Sequence, residues 1–247
     1  MMFRGSFSLS RVLALPFVFC LLLVDTGDAR AQRITDDLVL SRPPGFGEVR
    51  PGHVDTKPIS ASPFSISEAE TMLLDKTHQR EHGWTAASEE DVSEFEMFFD
   101  TSNALYSRGS SDLSLLLNEL RVVPASFDGT LLSRAKLQTA MHIGGFVDGA
   151  WTGLVRVMTV PSLGRVVLEE YDYVAAGSYF VIAEEIVDFQ INGRPATFDV
   201  WRAPSRKSFT ELVWFTENKH FRLLVNGTVQ PASQRYRNLI ELAWALR

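Results

Sequence analysis

The apolar residues of this chain recur at helical spacing in the first half and alternate with period two from Ala150 onward. Ser65 with Glu68, or Ser67 with Glu70, fits a capping box for a helix that stops near Gly83. Ser88 starts a second helix, where Glu89, Glu90 and Asp91 complement the positive helix end and Val92, Phe95 and Phe99 form the apolar stripe. Leu113, Leu116, Leu117 and Leu120 predict a third helix ending before Pro124, and a short fourth is expected around residues 131–140. The alternating segments 151–160, 165–174 and 179–191 read as strands. Asn192-Gly193 then predicts a type I′ hairpin in which Ile191 faces Arg194, Phe189 faces Ala196 and Val187 faces Phe198. A second hairpin turns at Asn218-Lys219 and pairs Trp214 with Leu223, Leu212 with Val225 and Thr216 with Phe221. Tyr236, Leu239, Ile240, Ala243 and Leu246 mark a closing amphipathic helix. The expected fold class is α+β: N-terminal helices, an antiparallel β-meander of about five to seven strands, and a C-terminal helix packed on the sheet.

The N-terminus changes the picture by giving the chain a destination. Arg4 and Arg11 precede an apolar run over residues 12–24, and Ala29-Arg30-Ala31 follows it, which is the order of a secretory signal peptide cleaved after Ala31. The apolar run falls short of the roughly twenty residues that cross a bilayer, so no transmembrane helix is expected after cleavage. Residues 1–31 read as the leader and 32–63 as an extended lead-in, where Pro43, Pro44, Pro51, Pro58 and Pro63 oppose regular structure. Residues 64–247 read as a single α+β domain. The leader holds three of the 24 basic and two of the 30 acidic residues, leaving a mature chain of about −7 net charge. An acidic exported chain without a basic run lacks the footprint for nucleic acid. Cys20 is the only cysteine and leaves with the leader, which excludes a thiol nucleophile, a redox pair and a thiolate metal site in the mature chain.

One catalytic pattern stands out, His78-Gln79-Arg80-Glu81-His82. Residues four apart share a helix face, so both imidazoles can ligate one zinc ion while Glu81 activates its water. These five residues resemble the H-x-x-E-H motif of inverted zinc metallopeptidases. The resemblance implies His78 and His82 as ligands, Glu81 as base, and Glu94 or Glu96 as a third ligand. Gly83 ends the helix at the motif and Lys76, Gln79 and Arg80 surround it with solvated side chains, which favours an exposed helix end. Asp188, Asp199, Glu184 and Glu185 could cluster on the polar sheet face as an acid/base pair but read rather as a charged, solvent-facing row, and His142 reads as a structural residue between helix and strand.

Alternation places Trp201 and Phe215 on the sheet face opposite Phe198, Leu212 and Trp214. If helices cover only one face, Trp201 and Phe215 line an aromatic groove for a ligand. If the N-terminal helices cover the second face, they are core. The reading is an exported, periplasmic or secreted, non-catalytic domain that uses no cofactor and binds an envelope protein or an apolar ligand. The alternative is an envelope hydrolase, zinc-dependent through residues 78–82.

Overall fold

The structure, a computed structural model, describes residues 52–100 and 109–246. The expected leader and its cleavage point lie outside the described residues. Among the described residues no helix is long and apolar enough to cross a membrane.

The molecule is α+β, built on a mostly antiparallel sheet that holds eight strands among the described residues. In chain order these are β2 (Thr85–Ala86), β3 (Lys136–Val147), β4 (Ala150–Val160), β5 (Gly164–Asp172), β7 (Phe189–Ile191), β8 (Arg194–Arg202), β9 (Ser208–Phe215) and β10 (Lys219–Asn226). Their spatial order is β2-β8-β9-β10-β5-β4-β3, and β7 also pairs with β8. A separate parallel pair joins β1 (Val54–Lys57) to β6 (Phe180–Ala183). Helix α1 (Ile66–His82) begins with a capping box, the Ser65 and Glu68 side chains each accepting the other's backbone N–H, and ends on Gly83 in the left-handed conformation. Helix α2 (Glu89–Met97) repeats the box with Ser88 and Asp91. Helix α3 (Ser114–Leu117) is one turn, and α4 (Gln234–Ala245) is capped by Ser233.

Each sheet face carries its own core. On one face, Phe198, Leu212, Trp214, Leu223 and Val225 are buried with Leu239, Leu242, Ala243 and Leu246 at the C-terminal helix. On the other, α2 brings Val92 and Phe95 onto Trp201, Phe209 and Leu224. Beside that, α1 and the β1–β6 pair bring Met72, Val54, Phe180 and Ile182 onto Val213 and Phe215. Both faces are therefore covered.

Several elements differ from expectation, each for a local reason. The expected helix around 131–140 is a 3-10 turn, Leu131–Arg134, followed by the edge strand β3. Two register shifts, between Leu137 and Thr139 and between Ile143 and Phe146, hide its period of two. The third predicted helix shrinks to α3, because residues 119–121 bond to Trp151 instead. The lead-in holds a regular strand, β1, whose partner β6 is remote in sequence. Segment 179–191 is two strands broken by a 3-10 turn at Glu184–Ile186. Thus Phe189 and Ile191 pair as predicted, but Val187 does not. In the last hairpin Trp214 faces Phe221 and Leu212 faces Leu223. The turn has moved by one residue, with Thr216 N–H donating to Lys219 O at 2.8 Å. The pairing slips by two, so every side chain keeps its face.

Candidate functional site

The predicted positions occupy two places. Trp201 is 5 % exposed and Phe215 1 % exposed. Trp201 stacks on Phe209, donates from Nε1 to Glu211 Oε2 at 2.9 Å, and borders a void of about 20 Å³. That is room for about one water molecule and too small for an apolar ligand. Phe215 meets Phe180 and Tyr173 edge to face. Neither ring borders an open groove, because α1, α2 and the β1–β6 pair cover this face.

His78 and His82 stack with centroids 4.3 Å apart at the end of α1. Each Nδ1 bonds a backbone carbonyl, His78 to Trp84 O at 2.7 Å and His82 to His78 O at 3.1 Å. Glu81 is exposed, and Glu96 pairs with Lys207 at 2.7 Å. Among the described residues no group of three or more His, Cys, Asp or Glu gathers as a metal site. His142 lies within β3, not at a junction, with Nε2 3.0 Å from Leu116 O.

The expected solvent-facing acidic row is instead partly buried under α1. Lys76 Nζ donates to Gln79 Oε1 at 3.0 Å, Asp188 Oδ2 at 2.7 Å and Asp199 Oδ1 at 3.0 Å. Asp199 sits opposite Glu211, whose carboxylate also takes Arg222 Nε. Burial pushes the Asp199 carboxyl up to about 7; Lys76 opposes that shift, while Asp188 and Glu211 add to it. Glu185 leaves the row, accepting Ile59 N–H at 2.9 Å.

Open space lies on the opposite face, at the β3–β4 edge. Residues 109–121 strap across that edge. Ser110 and Ala140 exchange backbone bonds, both at 2.8 Å, and Arg121 N–H reaches Trp151 O at the same distance. The chain then turns inward at residues 123–127, leaving a cleft of about 400 Å³. Leu113, Leu117, Val123, Phe127, Leu137 and Met158 supply apolar walls. Among the described residues Arg156 is the one ionisable side chain on the lining, and it is 2 % exposed.

A small ionic cluster holds that guanidinium. Arg156 Nη2 donates to Glu170 Oε2 at 2.6 Å and Nη1 to Ala125 O at 3.2 Å. Glu170 Oε1 accepts Lys219 Nζ at 2.6 Å and Ala125 N–H at 2.7 Å. Lys219 also donates to Val123 O at 2.6 Å, and Phe127 lies 3.9 Å from the guanidinium carbon. Asp172, opposite Lys219 in the register, accepts from Ala175 N–H and Asn218 Nδ2. Two cations therefore share one carboxylate, and Arg156 Nε has no partner. Burial pushes Arg156 down to about 10, with Glu170 opposing, so it stays charged at neutral pH.

Sequence reasoning missed Arg156, Glu170 and Lys219. One signal was there: Arg156 alternates with Leu154 and Met158 on the inward face of an otherwise apolar strand. Comparison of the chain with protein-family models, with curated proteins and with solved structures gives no match.

Proposed function

We propose that this chain is an exported, non-catalytic domain of the cell envelope that binds an apolar ligand in the cleft beside β3 and β4. The observation that carries the reading is the cleft itself. At about 400 Å³ it lies in the range of small-molecule sites, and its described walls are apolar apart from Ser126 and the fixed Arg156 guanidinium. Rim residues Leu117 and Val123, the latter 84 % exposed, extend the apolar surface outward. Among the described residues the polar side chains of the lining are the Arg156 guanidinium, which stays protonated, and the Ser126 hydroxyl, which donates to Asp128 Oδ2 at 2.9 Å.

The cleft is tested with the neutral fluorophore N-phenyl-1-naphthylamine. The wild-type chain binds it saturably, and Ala135→Trp, which fills the cleft from its lining, abolishes binding while leaving the unfolding midpoint near the wild-type value. Equal binding by both chains overturns the assignment. Export rests on the basic, apolar and small-residue order of residues 1–31. N-terminal mass spectrometry of the chain recovered from a bacterial periplasm or medium finds Gln32 as the first residue. Recovery of an intact leader there overturns that part.

A further inference from the structure

The cleft is not uniformly apolar, and the exception is informative. Arg156 lines it, is almost wholly buried, and keeps one guanidinium nitrogen, Nε, without a hydrogen-bond partner. A buried donor without a partner is costly, more so when charged. The nearest carboxylate does not relieve it, because Glu170 already divides its two oxygens among Arg156 Nη2, Lys219 Nζ and Ala125 N–H. The cluster's ion pairs set two cations against the one Glu170 carboxylate, while Asp172, opposite Lys219 in the register, is bonded to neutral donors. The cluster therefore has the charge, the free donor and the adjoining apolar volume that an amphiphile with one anionic head would complete.

We infer that the cleft takes a free long-chain carboxylate, with its head against Arg156 Nε and its alkyl chain along Leu113, Leu117, Val123 and Leu137 toward the rim. This inference rests on the proposed binding cleft and adds the chemistry of its occupant. A single negative charge matches the one cation that the ion pairs leave beyond Glu170, whereas a phosphate dianion would leave one charge unpaired in an apolar setting. A neutral alcohol of the same length would fill the same walls but leave the guanidinium uncompensated. Phe127 lies over the guanidinium face, and Nε is buried, so the head reaches it only by displacing the side chains that cover it.

The experiment titrates the full mature chain at neutral pH with dodecanoate and with dodecanol, each competing with N-phenyl-1-naphthylamine. Dodecanoate displaces the fluorophore at a concentration at least about tenfold below dodecanol, the factor a charge-assisted bond of about 1.4 kcal/mol supplies. Equal potency overturns the head-group inference and leaves the apolar cleft standing. Failure of the fluorophore and both amphiphiles to bind overturns the cleft reading beneath it. Arg156→Met removes one of the two cations without stranding Glu170, which keeps Lys219 and Ala125 N–H, and brings the two potencies together. A tenfold preference surviving in folded Arg156→Met overturns the inference. A readout independent of any variant is the carboxyl carbon resonance of labelled dodecanoate. Bound beside Arg156 it titrates below its free-solution range, and a titration unchanged or raised on binding overturns the assignment.

Discussion

The sheet buries charge on both faces, and the two clusters differ in what surrounds them. Under α1, Lys76 has three acceptors for its three ammonium hydrogens, and the adjoining void is about 20 Å³. Under the 123–127 segment, Arg156 keeps an unpartnered nitrogen beside a cleft of about 400 Å³. Both clusters tie a covering segment to the sheet. Arg222 Nη2, behind Asp199 and Glu211, also lacks a partner but does not line that void, so only the second cluster joins charged donor capacity to open space. Buried charge alone is thus weak evidence for a binding site, since a closed cluster balances desolvation only with its own partners. The clusters also differ in how they meet an imbalance. A carboxylate such as Asp199 can take up a proton, whereas the Arg156 guanidinium stays charged throughout the neutral range.

The largest effect that separates the two sides comes from Trp201. If its side is closed core, Trp201→Ala removes a buried ring that stacks on Phe209, and it strands Glu211 Oε2. The expected loss is about 3–5 kcal/mol in urea or guanidinium unfolding, the range for buried aromatics. Fluorophore binding at the cleft on the opposite face persists under conditions where the variant remains folded. A loss under about 1.5 kcal/mol together with abolished ligand binding would place a groove at Trp201 after all, and the comparison between the faces would collapse.

What could be read from the chain followed the range of the interactions involved. The starts of α1 and α2 were legible because Ser65 and Ser88 act within three residues of themselves. Asn192 and Gly193 take φ values of 50° and 75°, as their turn demands, for the same reason. The face of each residue in the last hairpin survived a misplaced turn, because a slip of two preserves the alternation. Strand β3 was hidden by its two irregularities, and β1 by a partner far along the chain. The candidate site was least legible. Lys219 lies 96 residues from Val123 and 49 from Glu170, and no local pattern announces bonds of that span. Whether Trp201 faced a groove or a core turned on where the N-terminal helices lie, a tertiary fact that alternation along β8 does not encode.

A smaller effect sharpens the same comparison through pH. Asp199 is held at about 7 when folded, against an ordinary value of 3.8, chiefly because burial disfavours its charged form. Lys76 opposes that shift, while Asp188 and Glu211 reinforce it. Between these values the folded chain retains a proton that the unfolded chain has released, so stability from this group falls as pH rises. The contribution is fully present below the unfolded value and is lost as pH climbs toward 7. Asp199→Asn keeps the shape and removes the titration. Two-state unfolding of both chains should show the wild type losing about 2 kcal/mol relative to the variant between about pH 5 and about pH 7, given roughly 1.4 kcal/mol per pKa unit over that interval. The cleft cluster offers a contrast, since Arg156 at about 10 titrates well above this window. Binding at the cleft should therefore not follow the Asp199 titration. Parallel stability curves for wild type and Asp199→Asn would show that Lys76 already compensates the carboxylate in full, and the closed cluster would then hold its charge as firmly as the open one.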